Sequence, residues 1–128
     1  MATKTAYPFR VEPQEVDFSL RITLVALGGN ILNIAGIDAH TKGFGVDALN
    51  KDNFSWVLSR IAFEFDYRPE EYVKYEIATW ISDYGRVLST RNFTLTDTAS
   101  GREFGRAVTQ WAMIDLQSLS LIHISEPT

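Results

Sequence analysis

The sequence predicts an α+β domain. Three observations carry that prediction: apolar residues at helical spacing over residues 18–40, short alternating segments set off by turn residues from residue 54 onward, and a proline-bearing segment ahead of both.

The leading segment, residues 7–16, contains Pro8 and Pro13. Each removes a backbone donor, so the segment reads as an edge strand and not a central one. In the helical run, Leu20, Leu24, Leu27, Ile31 and Ile34 step by four, three, four and three, which keeps them on one stripe. Asp17 or Ser19 offers a polar N-cap side chain, without the Glu or Gln that would complete a capping box. At the other end Lys42 sets a cation near the last carbonyls, and Gly43 can take the left-handed conformation that closes a helix. Gly28, Gly29 and Gly36 each cost about 1 kcal/mol relative to alanine inside a helix. Their expected compensation is close approach of the helix backbone to a packed sheet; a break at Gly28-Gly29 is the alternative.

Residues 46–51 form a short, helix-prone link, after which the period changes. Residues 54–66 are rich in aromatic and branched side chains, and Arg68-Pro69 reads as a turn. Val73, Tyr75, Ile77, Thr79 and Ile81 then alternate with more polar neighbours, as in a strand with one buried face. Asp83-Tyr84-Gly85 turns the chain, and Phe93 and Leu95 alternate with Asn92, Thr94 and Thr96. Ala99-Ser100-Gly101 turns it again, and residues 104–116 run back. Three tight connections in succession predict an antiparallel meander. A long central helix wrapped by a curved antiparallel sheet is the hotdog arrangement. Periodicity by itself equally admits a cystatin-like or cone-shaped ligand-binding fold.

The bulk properties fit one packed domain. At 128 residues, 45% hydrophobic and 12% aromatic, the chain can form a core without a disulfide or structural metal. The absence of cysteine excludes disulfides, cysteine nucleophiles and thiolate metal sites, and suits a reducing compartment. A formal net charge of −4 gives no electrostatic reason to expect nucleic acid. Residues 1–6 read as a flexible N-terminus without the apolar run of a secretory signal, and no stretch approaches the roughly 20 apolar residues that span a bilayer. The expectation is a cytoplasmic domain over residues 7–117. Residues 119–128 break the preceding pattern and look like translated sequencing-adapter read-through. Residues 118–128 are therefore read as a non-native tail, with the natural protein continuing past Gln117 and His123 excluded from any site.

Within the domain His40 is the sole histidine. An acid–base couple with Asp38 would suit a hotdog dehydratase, but residues two apart on a helix do not face each other. The helix dipole alone favours a histidine in the last turn. No His and carboxylate ligands cluster at metal spacing, Gly43-Phe44-Gly45 does not follow a strand as a phosphate loop would, and Ser55, Ser59 and Ser89 lie on predicted strands without an evident base. Neither a catalytic set nor a cofactor is expected.

Several segments, taken in order, resemble the acyl-ACP thioesterase family, particularly its bacterial members. They are Tyr7-Pro8-Phe9-Arg10-Val11, Ala39-His40-Thr41-Lys42-Gly43-Phe44-Gly45, Trp56-Val57-Leu58-Ser59-Arg60, Thr79-Trp80, Ser89-Thr90-Arg91-Asn92-Phe93 and Trp111-Ala112-Met113-Ile114-Asp115. The resemblance implies two hotdog domains in tandem that hydrolyse the thioester of fatty acyl-ACP. Catalytic residues are implied in the second hotdog, around an Asp-x-Asn-x-His-x-Asn-Asn motif. The corresponding stretch here, Val16-Asp17-Phe18-Ser19-Leu20, has neither His nor Asn, so the chain is similar to the non-catalytic first hotdog. On that resemblance Leu24, Gly28, Leu32, Trp56 and Trp80 become the expected acyl tunnel. Arg60, Arg86 and Arg91, among scattered basic residues that include Lys74, Arg102 and Arg106, become the expected docking residues for an acidic carrier protein. Acyl-ACP and a second hotdog of the same full-length chain are the expected partners, and a homo-oligomer is a further expectation.

Overall fold

A computed structural model describes residues 4–43, 45, 49–85 and 87–122. The elements are β1 (Thr5–Arg10), a 3-10 turn (Pro13–Glu15), α1 (Leu24–Thr41), β2 (Phe54–Phe65), β3 (Lys74–Tyr84), β4 (Leu88–Asp97) and β5 (Glu103–Asp115). The strands form one antiparallel sheet in the order β1-β3-β4-β5-β2. Register shifts at Leu58/Arg60, Ile81/Asp83 and Leu95/Thr96 insert the bulges that bend strands. One helix packed on a five-stranded antiparallel sheet is the hotdog architecture.

β1 is an edge strand, so the missing N–H of Pro8 falls where only one neighbour competes for ladder bonds. β3, β4 and β5 follow one another as hairpins. β2 does not join this meander through Arg68-Pro69; it lies across the sheet and pairs with β5. The Arg68-Pro69 segment is instead a crossover. Arg68 donates to the Ile22 carbonyl at 2.9 Å and to Asp17 at 2.8 Å, and the Pro69 carbonyl accepts from the Ile22 amide at 2.9 Å.

The helix begins later than its apolar spacing suggests. Thr23 is the N-cap, its hydroxyl accepting from the Ala26 amide at 3.1 Å. Asp17 caps a turn instead, taking the Ser19 amide, and Leu20 sits at φ 61°, outside any helix. The C-terminus follows expectation: the Lys42 amide bonds the Asp38 carbonyl, and Gly43 takes φ 88°. The helix is continuous through Gly28-Gly29. Its buried stripe is Leu27, Ile31, Ile34, Ala35 and Asp38, while Leu20 and Leu24 are exposed. That stripe meets Tyr75 and Ile77 of β3, Phe93 and Leu95 of β4, and Phe104 of β5, with Phe104 edge-on to Tyr75 at 5.9 Å between centroids.

Candidate functional site

Inward-facing residues of β2 follow from its pairing. Phe63 and Phe65 stand opposite Ala107 and Gly105 on the helix side of β5, and Trp56 continues that face beyond the bulge. Below them α1 presents Leu24, Gly28, Ala35, Gly36 and Ala39, and Leu32 falls on the same stripe by helical spacing. Of the helix glycines, Gly28 is the one that approaches the sheet. A Cβ on Gly28 would lie 3.9 Å from Phe63 Cε1, and one on Gly29 or Gly36 would meet nothing within 4 Å. Farther along the helix the small residues Ala35, Gly36 and Ala39 leave open space between α1 and Trp56 of β2.

Near the N-terminal end of α1 lies a wide groove lined by Leu24, Phe63, Phe65, Tyr67 and Arg68. At the C-terminal end a cavity of about 70 Å³ lies among Ala35, Ala39, Trp56 and Trp111. Ile81 of β3, with Ser89 and Arg91 of β4, completes its far side.

Arg91 does not stand there as a surface charge: it is 4% exposed. Its NH1 donates to Asp38 Oδ2 at 2.6 Å and to the Thr79 hydroxyl at 3.1 Å. Asp38 is fully buried and also accepts from Lys42 Nζ at 2.8 Å and the Tyr7 hydroxyl at 2.7 Å. Burial opposes ionisation of Asp38, but the donors Lys42, Tyr7 and Arg91 together hold its carboxyl below the ordinary carboxylate value. Burial, with the Asp38 carboxylate beside it, pushes the Tyr7 hydroxyl up to about 12. The network joins β1, α1, β3 and β4 in one charge-assisted cluster. Its neighbour Thr109 accepts from Trp111 Nε1 at 2.8 Å, so the indole at the cavity wall is itself oriented.

The structure separates the expected site residues. Leu24 lines the groove at the start of α1, Gly28 faces Phe63, Trp56 lines the cavity toward the helix end, and half-buried Leu32 falls between them by helical spacing alone. Trp80 lies apart from them: Tyr75, Ile77 and Thr79 face the core, so Trp80 faces the opposite side of the sheet, where Lys4 lies 4.9 Å over its ring. A docking role for Arg91 requires an exposed guanidinium, and this one is buried in an ion pair. Arg60 is exposed on β2, and Arg86 and His123 lie outside the described residues. Arg106 is held by Glu64, Asp66 and Glu103, and Arg102 stacks on Tyr67, so these two arginines do not add to a bare basic patch. His40 is exposed while Asp38 points into the buried network, so the two do not make the acid–base couple of a dehydratase. Residue-by-residue reading finds Asp38 only as a partner for His40, although continuing the buried stripe from Ile34 by four lands on it.

Residues 2–127 match the family described as the acyl-ACP thioesterase N-terminal domain. The chain belongs to the acyl-ACP thioesterase family. Among curated relatives it is 26% identical over 124 residues to oleoyl-acyl carrier protein thioesterase 2 of Arabidopsis thaliana, a match covering 92% of this chain and 34% of the plant protein. The chain thus spans about a third of the length of the curated relatives it matches. Among solved structures, an acyl-ACP thioesterase from Bacteroides thetaiotaomicron superposes with a TM-score of 0.90 at 36% identity, over 98% of this chain and 57% of that one. A 1,4-dihydroxy-2-naphthoyl-CoA thioesterase from Synechocystis superposes with a TM-score of 0.85 at 10% identity, over 96% of this chain and 90% of that one, a likeness of fold. The thioesterase family and the hotdog fold stand together on these matches. Among the described residues no helix is long and apolar enough to cross a membrane.

Proposed function

We propose that this chain is the substrate-binding first hotdog of a fatty acyl-ACP thioesterase, with the α1–β2 gap holding the acyl chain. Thioester hydrolysis belongs to a second hotdog of the full-length protein, and the cytoplasm is the compartment that suits a cysteine-free chain acting on acyl-ACP. The observation that carries this reading is the apolar gap itself. It lies between Trp56 of β2 and the small residues Ala35, Gly36 and Ala39 of α1, in a chain matching the family's N-terminal domain. An alkyl chain laid there gains about 0.8 kcal/mol per buried methylene. Residues 7–117 constitute the domain in this reading, with Leu24, Gly28, Leu32 and Trp56 beside the acyl chain.

Two measurements test the reading. The 128-residue chain is expected to bind palmitate, followed by displacement of a fluorescent fatty acid. Gly28→Leu, whose side chain would extend beside Phe63, is expected to weaken that binding about tenfold or more without lowering the urea midpoint, because it also removes a helix glycine. Hydrolysis of acyl-ACP by the same chain is expected to stay at background. Palmitate binding indifferent to Gly28→Leu, or turnover by the chain alone, would overturn the proposal.

A further inference from the structure

We propose that the Asp38–Arg91 pair is the polar end wall of the acyl pocket and sets the length of alkyl chain the pocket accepts. This inference rests on the acyl-binding reading above. Three observations on the molecule meet at this point.

The first is position. The cavity at the C-terminal end of α1 is apolar on the sides given by Ala35, Ala39, Trp56, Ile81 and Trp111, and Arg91 stands on its boundary. A tail lying in this cavity meets apolar side chains on those sides and the Arg91 guanidinium at the boundary.

The second is rigidity. Arg91 cannot swing aside as a surface arginine would, because its NH1 is held by Asp38 at 2.6 Å and by Thr79 at 3.1 Å. Asp38 is in turn fixed by Tyr7 and Lys42 from β1 and the helix end. Moving Arg91 would strand a buried carboxylate with fewer donors, which the fold strongly opposes.

The third is chemistry. Against apolar walls each added methylene strengthens binding about fourfold. Against a buried guanidinium the next methylene gains nothing and shields a charge from any polar neighbour. A chain ending in oxygen is different, since the guanidinium and the Ser89 hydroxyl on the same wall offer donors to it. The wall therefore limits methyl-terminated chains and tolerates ω-oxygenated ones.

The test is a length series of saturated fatty acids, from hexanoate to stearate, with the matching ω-hydroxy acids, bound to the unmodified chain. Affinity for the saturated acids is expected to rise about fourfold per methylene and then stop rising at one length. Just beyond that length the ω-hydroxy acid is expected to bind about tenfold tighter than its methyl-terminated counterpart. Asp38→Leu combined with Arg91→Met is expected to extend the rise by two or more methylenes and to remove the ω-hydroxy preference. If no acid of any length binds, the acyl-binding reading itself fails. If acids bind with no length limit, or with a limit but no ω-hydroxy preference, the end wall is overturned and the pocket survives. Should the double variant not fold, the two acid series on the unmodified chain decide the matter.

Discussion

Asp38 accepts bonds from Tyr7, Lys42 and Arg91, and that convergence makes one carboxylate answerable for several contacts at once. A buried ion pair contributes little net stability as a pair, yet stranding one member costs about 3–5 kcal/mol. Arg91→Ala is therefore expected to lose that much in urea unfolding, while Asp38→Leu with Arg91→Met loses clearly less than either single change. Additive losses would show that the two residues do not act together. The pH response has a definite sign. Asp38 is held below its ordinary value, so its contribution is present above the unfolded carboxyl value and is lost as acid protonates it in the folded state. Tyr7 is raised to about 12, so its contribution is intact below about pH 10 and declines from there as pH rises through about 12. Tyr75, raised to about 12 chiefly by burial, acts in the same window. Tyr7→Phe should flatten the alkaline decline in stability measured by urea at stepped pH, leaving the share owed to Tyr75. None of these partners is visible in sequence, because Tyr7, Asp38 and Arg91 are brought together only by the sheet order. The legible signal is weaker: a carboxylate on the continuation of a buried stripe must find donors.

The elements are more readable than their arrangement. Alternation locates the core face of β3 and β4, since Tyr75, Ile77, Phe93 and Leu95 are all buried. Lys42 and Gly43 locate the helix end. Alternation fixes faces, however, and says nothing of which strand lies beside which, so in sequence the crossover that takes β2 to β5 passes for a hairpin at Arg68-Pro69. The helix start differs from expectation for a related reason: Leu20 lies outside the helix, Leu24 is half exposed at a groove, and the capping hydroxyl belongs to Thr23. Helix glycines suggest contact points, whereas a methyl group placed on Gly29 would meet nothing within 4 Å. The tightest glycine is Gly105, whose Cβ would strike the Phe65 ring across the β2–β5 pair, ahead of Gly85 against the Leu88 carbonyl. Opposite signs follow. Gly29→Ala is expected to stabilise the chain by about 0.5–1 kcal/mol through helix propensity. Gly105→Ala is expected to destabilise it by about 1–3 kcal/mol through overpacking. Thermal or urea unfolding of the pair checks both, and a matching sign for the two would contradict this account.

At the scale of the whole molecule, the exposed apolar groups are the feature that the domain alone does not use. Phe18 is fully exposed and Val25 is 87% exposed near the start of α1. Val57 and Phe63 are exposed on β2, which among the described residues pairs only with β5 and so presents an open edge. Open edges and exposed aromatic groups are where chains pair with copies of themselves. The proposed second hotdog of the full-length protein would be the natural cover; without one, the prediction is concentration-dependent self-association of the 128-residue chain. Its dependence on β2 separates edge pairing from indiscriminate sticking. Val57→Lys places a charge on the edge strand without entering the α1–β2 gap, because Val57 alternates with the inward-facing Trp56. Light scattering across a concentration series should show an assembly larger than one chain that Val57→Lys shifts toward monomer, while Phe18→Ser acts less. A native chain that stays monomeric throughout would mean that β2 is protected by its own bulge at Leu58/Arg60 and its neighbouring charges. Association unaffected by Val57→Lys but abolished by Phe18→Ser would move the contact from the sheet edge to the turn before the helix.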